Sequence, residues 1–99
     1  MCGAKTGGAS TEGLVLTNES VIQGVVTRAG EPVAGAYVRL LDGGGEFTAE
    51  VPTSATGQFR FFAAPGEWTV RTLAPGADVV DRPVAAVKGE VAEVAVTLD

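Results

Sequence analysis

Two features of this 99-residue sequence have residue types suited to chemistry or recognition. The first is Cys2, the single cysteine, which directly follows the initiator methionine. Removal of that methionine would leave an amino-terminal cysteine, and the thiolate is the reactive form of such a group. Lys5 is the one nearby cation that would favour the thiolate. Cys2 is therefore a candidate nucleophile, weighed against the simpler interpretation of an inert cysteine on a tail.

The second feature is a set of arginine, aromatic and leucine side chains that strand alternation directs outward. Arginine and aromatic residues together are typical of the centres of protein interfaces, and exposed apolar patches often mark a partner site. The alternative is an ordinary wetted surface with Phe62 partly covered by a loop or the tail. The candidate partner surface consists of Tyr37, Arg39, Leu41, Arg60 and Phe62, with Glu50 nearby.

Charge and composition exclude several classes of activity. The chain has 7 basic and 12 acidic residues, a net charge of −5, and no histidine. Without histidine there is no imidazole acid or base, no Ser-His or Cys-His pair, and no imidazole ligand for zinc. An acidic chain with scattered arginines also lacks the basic stripe that nucleic acid binding requires. We expect no enzyme activity, no catalytic residue, no metal and no cofactor.

The remaining composition bears on the compartment. A single cysteine cannot form an intrachain disulfide, so a reducing compartment is acceptable. No apolar run reaches the 18 or more residues of a membrane span, and the first twenty residues do not have the pattern of a secretory signal. The sequence predicts a cytoplasmic protein without a membrane segment. Two acid pairs, Asp78 with Asp81 and Glu90 with Glu93, lack the ligand density of a calcium loop and are interpreted as solvated charges.

The elements that must position these residues are all strands. Residues 1–18 are rich in glycine and small polar residues and are predicted to form a flexible tail, and 19–99 a single domain. β-branched residues with period two follow, punctuated by Gly and Pro turns, and no helical spacing is sustained. We predict an all-β, antiparallel, immunoglobulin-like sandwich of about seven strands without significant helix. The expected strands are 21–27, 34–41, 47–54, 58–63, 68–73, 79–87 and 91–98.

Alternation within each strand assigns the core. The opposite choice of face would bury Arg39 in the second strand and Arg60 in the fourth. The predicted core consists of Ile22, Val26, Ala36, Val38, Leu40, Phe47, Val51, Phe59, Phe61, Trp68, Val70, Val94, Val96 and Leu98.

Several short blocks resemble the carboxypeptidase-regulatory-like, prealbumin-like sandwich modules. They are Pro-Val-x-Gly-Ala at 32–36, Gly-x-Phe-x-Phe at 57–61 and Pro-Gly-x-Trp at 65–68. The resemblance implies the same sandwich fold. Prealbumin-like relatives that hydrolyse a ureide ring use histidine, which this chain lacks, so that activity does not transfer.

Longer blocks at 38–42, 46–51 and 54–66, together with the Met-Cys start, resemble the small actinobacterial SseC proteins. That resemblance implies an association with thiosulfate sulfurtransferase and sulfur metabolism. The predicted function is a non-enzymatic accessory or interaction module whose partner is a thiosulfate sulfurtransferase or another protein. The alternatives are a sulfur carrier that accepts sulfane sulfur on Cys2, and a sandwich that binds a small ligand between its loops. Homodimerisation through an edge strand or through the face from Tyr37 to Phe62 stays open.

Overall fold

The computed structural model describes residues 20–99, which form eight β-strands in two packed sheets. The predicted tail (1–18) and Cys2 lie outside the described residues. The all-β sandwich fold is confirmed, and the described part of the chain contains no helix. The strands are β1 (Ser20–Arg28), β2 (Glu31–Pro32), β3 (Tyr37–Leu41), β4 (Phe47–Pro52), β5 (Gln58–Ala63), β6 (Gly66–Leu73), β7 (Val80–Ala86) and β8 (Val91–Leu98).

The first sheet has β1 at its centre, with β5 and the short β2 on one side and β8 on the other. The second sheet has the order β4-β3-β6-β7. All pairs are antiparallel except β1 with β8, which run parallel from Val21↔Val91 to Arg28↔Leu98. A parallel pair requires a long connection between its strands. The first and last strands of the sandwich meet this requirement because the rest of the domain connects them.

The core lies between the two sheets and follows the predicted alternation closely. Phe59 and Phe61 point inward from β5 with ring centroids 6.1 Å apart, in a tilted arrangement typical of aromatic pairs. The predicted core residues that are buried are Ile22, Val26, Ala36, Val38, Leu40, Val51, Phe59, Phe61, Val70, Val94, Val96 and Leu98.

Two core predictions are wrong or only partly right. Phe47 is 61% exposed, because the β3–β4 register shifts at Leu40/Leu41 and pairs Phe47 with Leu41 on the outer face. A β-bulge of this kind changes the face on which the following residues lie. Trp68 is only partly buried; its indole N–H donates to the carbonyl oxygen of Ala64 at 2.9 Å. The ring therefore packs against the core from its margin.

Gly24 is required because β1 lies close to the strands on both of its sides. Gly24 faces the core from β1, opposite Phe59 on β5 and Val94 on β8. A Cβ at this position would lie 2.8 Å from Cζ of Phe59 and would overlap the carbonyl oxygen of Val94. Glycine here lets β1 pair closely with strands on both of its sides.

Candidate interaction surface

The outer face of the second sheet carries part of the predicted partner surface. Because Val38 and Leu40 point into the core, β3 turns Tyr37, Arg39 and Leu41 outward. Tyr37 is 52% exposed and Arg39 is partly exposed. Leu41 is only 6% exposed, so the expectation of an accessible leucine is wrong.

Four charged side chains cross this face in a single line, one from each strand of the sheet. Arg39 on β3 is paired in register with Glu50 on β4 and with Arg71 on β6, and Arg71 is paired with Asp81 on β7. The Nε of Arg39 lies 2.8 Å from Oε2 of Glu50. Arg71 donates from Nε to Oδ1 of Asp81 at 2.9 Å and from Nη2 to Oδ2 at 3.0 Å. We call Glu50, Arg39, Arg71 and Asp81 the charge row.

The order of signs in the charge row has a physical consequence. Two arginines directly opposite each other on neighbouring strands repel, and each is neutralised by the acid on its outer side. The hydrogen bonds from Arg71 hold the pKa of Asp81 below its ordinary value, and the same contact raises the pKa of Arg71. Arg71 and Asp81 therefore stay ionised at neutral pH, and Arg71 lies beside Arg39 at the centre of the row.

Aromatic side chains flank the charge row on both sides. The Cζ of Arg39 lies 6.0 Å from the centroid of the Phe47 ring, within the range of a cation–π contact. Tyr37 lies on the other side of the row, paired in register with Leu73. Arginine beside exposed aromatic rings is the composition enriched at protein interfaces. The face therefore offers ordered charges and apolar area together.

Arg60 and Phe62 do not belong to this surface. Both lie on β5 in the first sheet, whose outer face points away from that of the second. Arg60 is 2% exposed, so the prediction of an exposed arginine is wrong. Its Nε donates to Oε1 of Gln23 at 3.2 Å, and Nε2 of Gln23 donates to Oε2 of Glu93 at 2.7 Å. These contacts give Arg60 a structural role in tying three strands together.

The sequence interpretation missed Arg71 and Phe47 as members of the surface. The alternation that buries Val70 already turns Arg71 outward, but only the β3–β6 register shows that it lies beside Arg39. Asp81, considered as a metal ligand, is the ion-pair partner of Arg71. No group of three acidic, cysteine or histidine side chains within residues 20–99 is arranged to hold a metal ion.

A concave feature lies between the edge strands β7 and β8. It is an open groove of about 380 Å³, lined by Arg82, Pro83 and Val84 from one strand and Glu93, Val94 and Ala95 from the other. The groove follows strands, so it is not the ligand site between loops that the small-ligand alternative expects. Its lining mixes two opposite charges with small apolar side chains.

The fold and this face together define a small β-sandwich module. The chain belongs to the family described as "Protein of unknown function (DUF1416)", whose model matches residues 2–98. An uncharacterised protein of Mycolicibacterium smegmatis is 66% identical over 62 residues, which are 62% of this chain and 69% of that protein. The Mycobacterium tuberculosis proteins Rv0814c and Rv3118, both uncharacterised, are each 54% identical over 87 residues, covering 84% of this chain and 87% of theirs.

Solved structures with low sequence identity share the fold. The minor pilin GBS52 of Streptococcus agalactiae matches 84% of this chain with a TM-score of 0.70 and 13% identity. The major pilin subunit BcpA of Bacillus cereus matches 81% with a TM-score of 0.68 and 18% identity. This chain spans 45% of the first pilin and 28% of the second. A dioxygenase domain from a Streptomyces species matches 88% with a TM-score of 0.62 and 16% identity. Within residues 20–99 there is no helix long and apolar enough to cross a membrane.

Proposed function

We propose that this protein is a non-enzymatic interaction module that binds a protein partner through the outer face of its second sheet. The observation that carries the proposal is the charge row with its exposed flanks, Tyr37 and Phe47. Paired guanidinium groups need no ordering on binding because their acids already hold them in place. The aromatic rings add contact area at low entropic cost.

The partner that we propose is a thiosulfate sulfurtransferase, in the cytoplasm. Support for this choice comes from the resemblance of blocks 38–42, 46–51 and 54–66 to the SseC proteins. Block 38–42 begins on β3 and includes Arg39, and block 46–51 includes Phe47 and Glu50, so the resemblance coincides with the proposed surface. The enzyme would supply the sulfur chemistry, and this chain would supply binding.

The proposal is tested by titrating the purified chain against a thiosulfate sulfurtransferase from the same organism. Tyr37→Ala and Arg39→Glu should each weaken binding at least about tenfold, as expected for residues at an interface centre. Lys88→Glu makes the same charge change as Arg39→Glu in the turn between β7 and β8, away from the second sheet's outer face, and is the matched control. If all three variants bind like wild type, this face is not the partner surface.

The sulfur-carrier alternative predicts a different outcome. After incubation with the enzyme and thiosulfate, a carrier would gain the mass of one sulfur atom on Cys2, and Cys2→Ser would abolish the transfer. An interaction module predicts that Cys2→Ser binds the partner with unchanged affinity. The small-ligand alternative predicts a binding heat when thiosulfate alone is titrated into the chain, and the interaction module predicts none.

A further inference from the structure

The four long edge strands of the sandwich differ in how they are protected against pairing with another chain. Exposed edges are usually blocked by proline, bulges or charges. In the second sheet, β7 has Pro83 at its centre, while β4 ends in Pro52 and contains the register shift against β3. In the first sheet, β5 is shorter than β8, with 6 residues against 8.

β8 has no proline and no register shift against β1, and its one charged residue is Glu93, near its beginning. It is the longest of these edge strands, with 8 residues, and within residues 20–99 no strand is hydrogen-bonded to it on the side away from β1. Residues 94–98 contain no proline, glycine or charge, and consist of valine, alanine, threonine and leucine. Such residues favour extended, paired backbone. β8 is therefore the edge most suited to accept another strand.

The backbone groups that β8 presents can be identified. The N–H of Val21 donates to the carbonyl of Glu90 at 3.0 Å, which sets the phase of the parallel ladder between β1 and β8. Because alternate residues of a parallel strand bond to the same neighbour, the even-numbered residues of β8 face β1. Glu93, Ala95 and Thr97 therefore direct their N–H and C=O groups to the free edge.

We propose that β8 pairs antiparallel with β8 of a second copy of this chain, joining the two first sheets into one continuous sheet. Residues opposite each other in an antiparallel pair share a face, and like charges opposite each other are unfavourable. A register centred on Glu93 places two glutamates together, and one centred on Val96 places Glu93 opposite Asp99. A register centred on Ala95 avoids both and sets Glu93 opposite Thr97 of the second copy.

The groove beside β8 accommodates this arrangement. The small side chain of Ala95 allows the two copies to approach closely at the twofold axis that relates them, where a bulky side chain would be crowded. Pro83 has no N–H and cannot continue a ladder on β7, so pairing is confined to β8. The added strand would cover the edge of the groove at Val94, where the core approaches the surface.

The experiment measures both mass and amide exchange of the full chain. Sedimentation or light scattering at increasing concentration should give a mass near twice 10.0 kDa. The Ala95 and Thr97 amides should exchange more slowly as concentration rises, whereas the Val94 and Val96 amides, which bond to β1, stay protected throughout. Ala95→Lys places two cations together on the axis and should raise the dimer dissociation constant at least about tenfold.

The matched control is Ala85→Lys on the other edge strand, β7, which should dimerise like wild type. Circular dichroism melting verifies that each variant is folded. A wild-type chain that stays monomeric at all concentrations overturns the proposal. The proposal is also overturned if Ala95→Lys leaves the dimer intact and, in the wild-type chain, the Ala95 amide exchanges equally fast at every concentration.

Discussion

The contact of β1 with β5 and β8 at Gly24 makes a sharp prediction about stability. A methyl group at this position would lie 2.8 Å from Cζ of Phe59 and would overlap the carbonyl oxygen of Val94, which is backbone and cannot rotate away. Overpacking of a core costs about 1–3 kcal/mol, and a clash with backbone falls at the upper end. We therefore expect Gly24→Ala to lose about 2–3 kcal/mol. For a domain of this size that corresponds to a fall in Tm of about 10–20 °C.

The assay is reversible urea or thermal unfolding followed by circular dichroism. Gly43→Ala is the matched control, because a Cβ there meets only the carbonyl oxygen of Glu67 at 3.5 Å, an ordinary contact. Its stability should stay within about 0.5 kcal/mol of wild type. Adding Phe59→Leu to Gly24→Ala removes the ring contact but not the overlap with Val94, so rescue should be incomplete. A Gly24→Ala variant as stable as wild type would refute the predicted closeness of these strands.

Three further predictions concern the core, the charge row and the buried arginine. Phe59→Ala should cost about 3–5 kcal/mol, whereas Phe47→Ala should cost less than about 1 kcal/mol because Phe47 is 61% exposed; equal losses in denaturant unfolding would contradict the face assignment. The stabilisation from Asp81, whose folded-state pKa is lowered by Arg71, is present above the ordinary carboxyl pKa and is lost as pH falls through the lowered value. Melting temperatures of wild type and Asp81→Asn should therefore differ at neutral pH and converge in acid, and a difference independent of pH would argue against the pair. Arg60→Glu should lose more than about 3 kcal/mol in the same unfolding assay because it buries a carboxylate where the guanidinium bonded to Gln23 stood, while Arg39→Glu should melt closer to wild type. Similar melting of both variants would show that Arg60 is not buried.

Much of the fold followed from the sequence because alternation determines which residues of a strand face inward. Ala36, Val38 and Leu40 were assigned correctly by the argument that the other face would bury Arg39. Alternation places Phe47 on the wrong face, because the bulge beside Leu41 changes the face and the local sequence carries no signal for it.

The candidate site was harder to predict because alternation does not determine which sheet a strand joins. Tyr37 and Phe62 both point outward, yet they lie on opposite faces of the sandwich. An outward direction also does not guarantee exposure, as Arg60 demonstrates. The charge row depends on long-range register, which brings Arg71 beside Arg39 although the two are far apart in the sequence. Neither residue's local neighbours contain that information.

The most direct measurement of the central claim is a hydrogen-exchange or chemical-shift footprint of a thiosulfate sulfurtransferase on this chain. We predict that saturation with the enzyme protects or shifts Tyr37, Arg39 and Arg71 on the second sheet, and leaves Gln23 and Gln58 on the outer face of the first sheet unchanged. A footprint confined to the first sheet, or none at a saturating concentration of the enzyme, would contradict it.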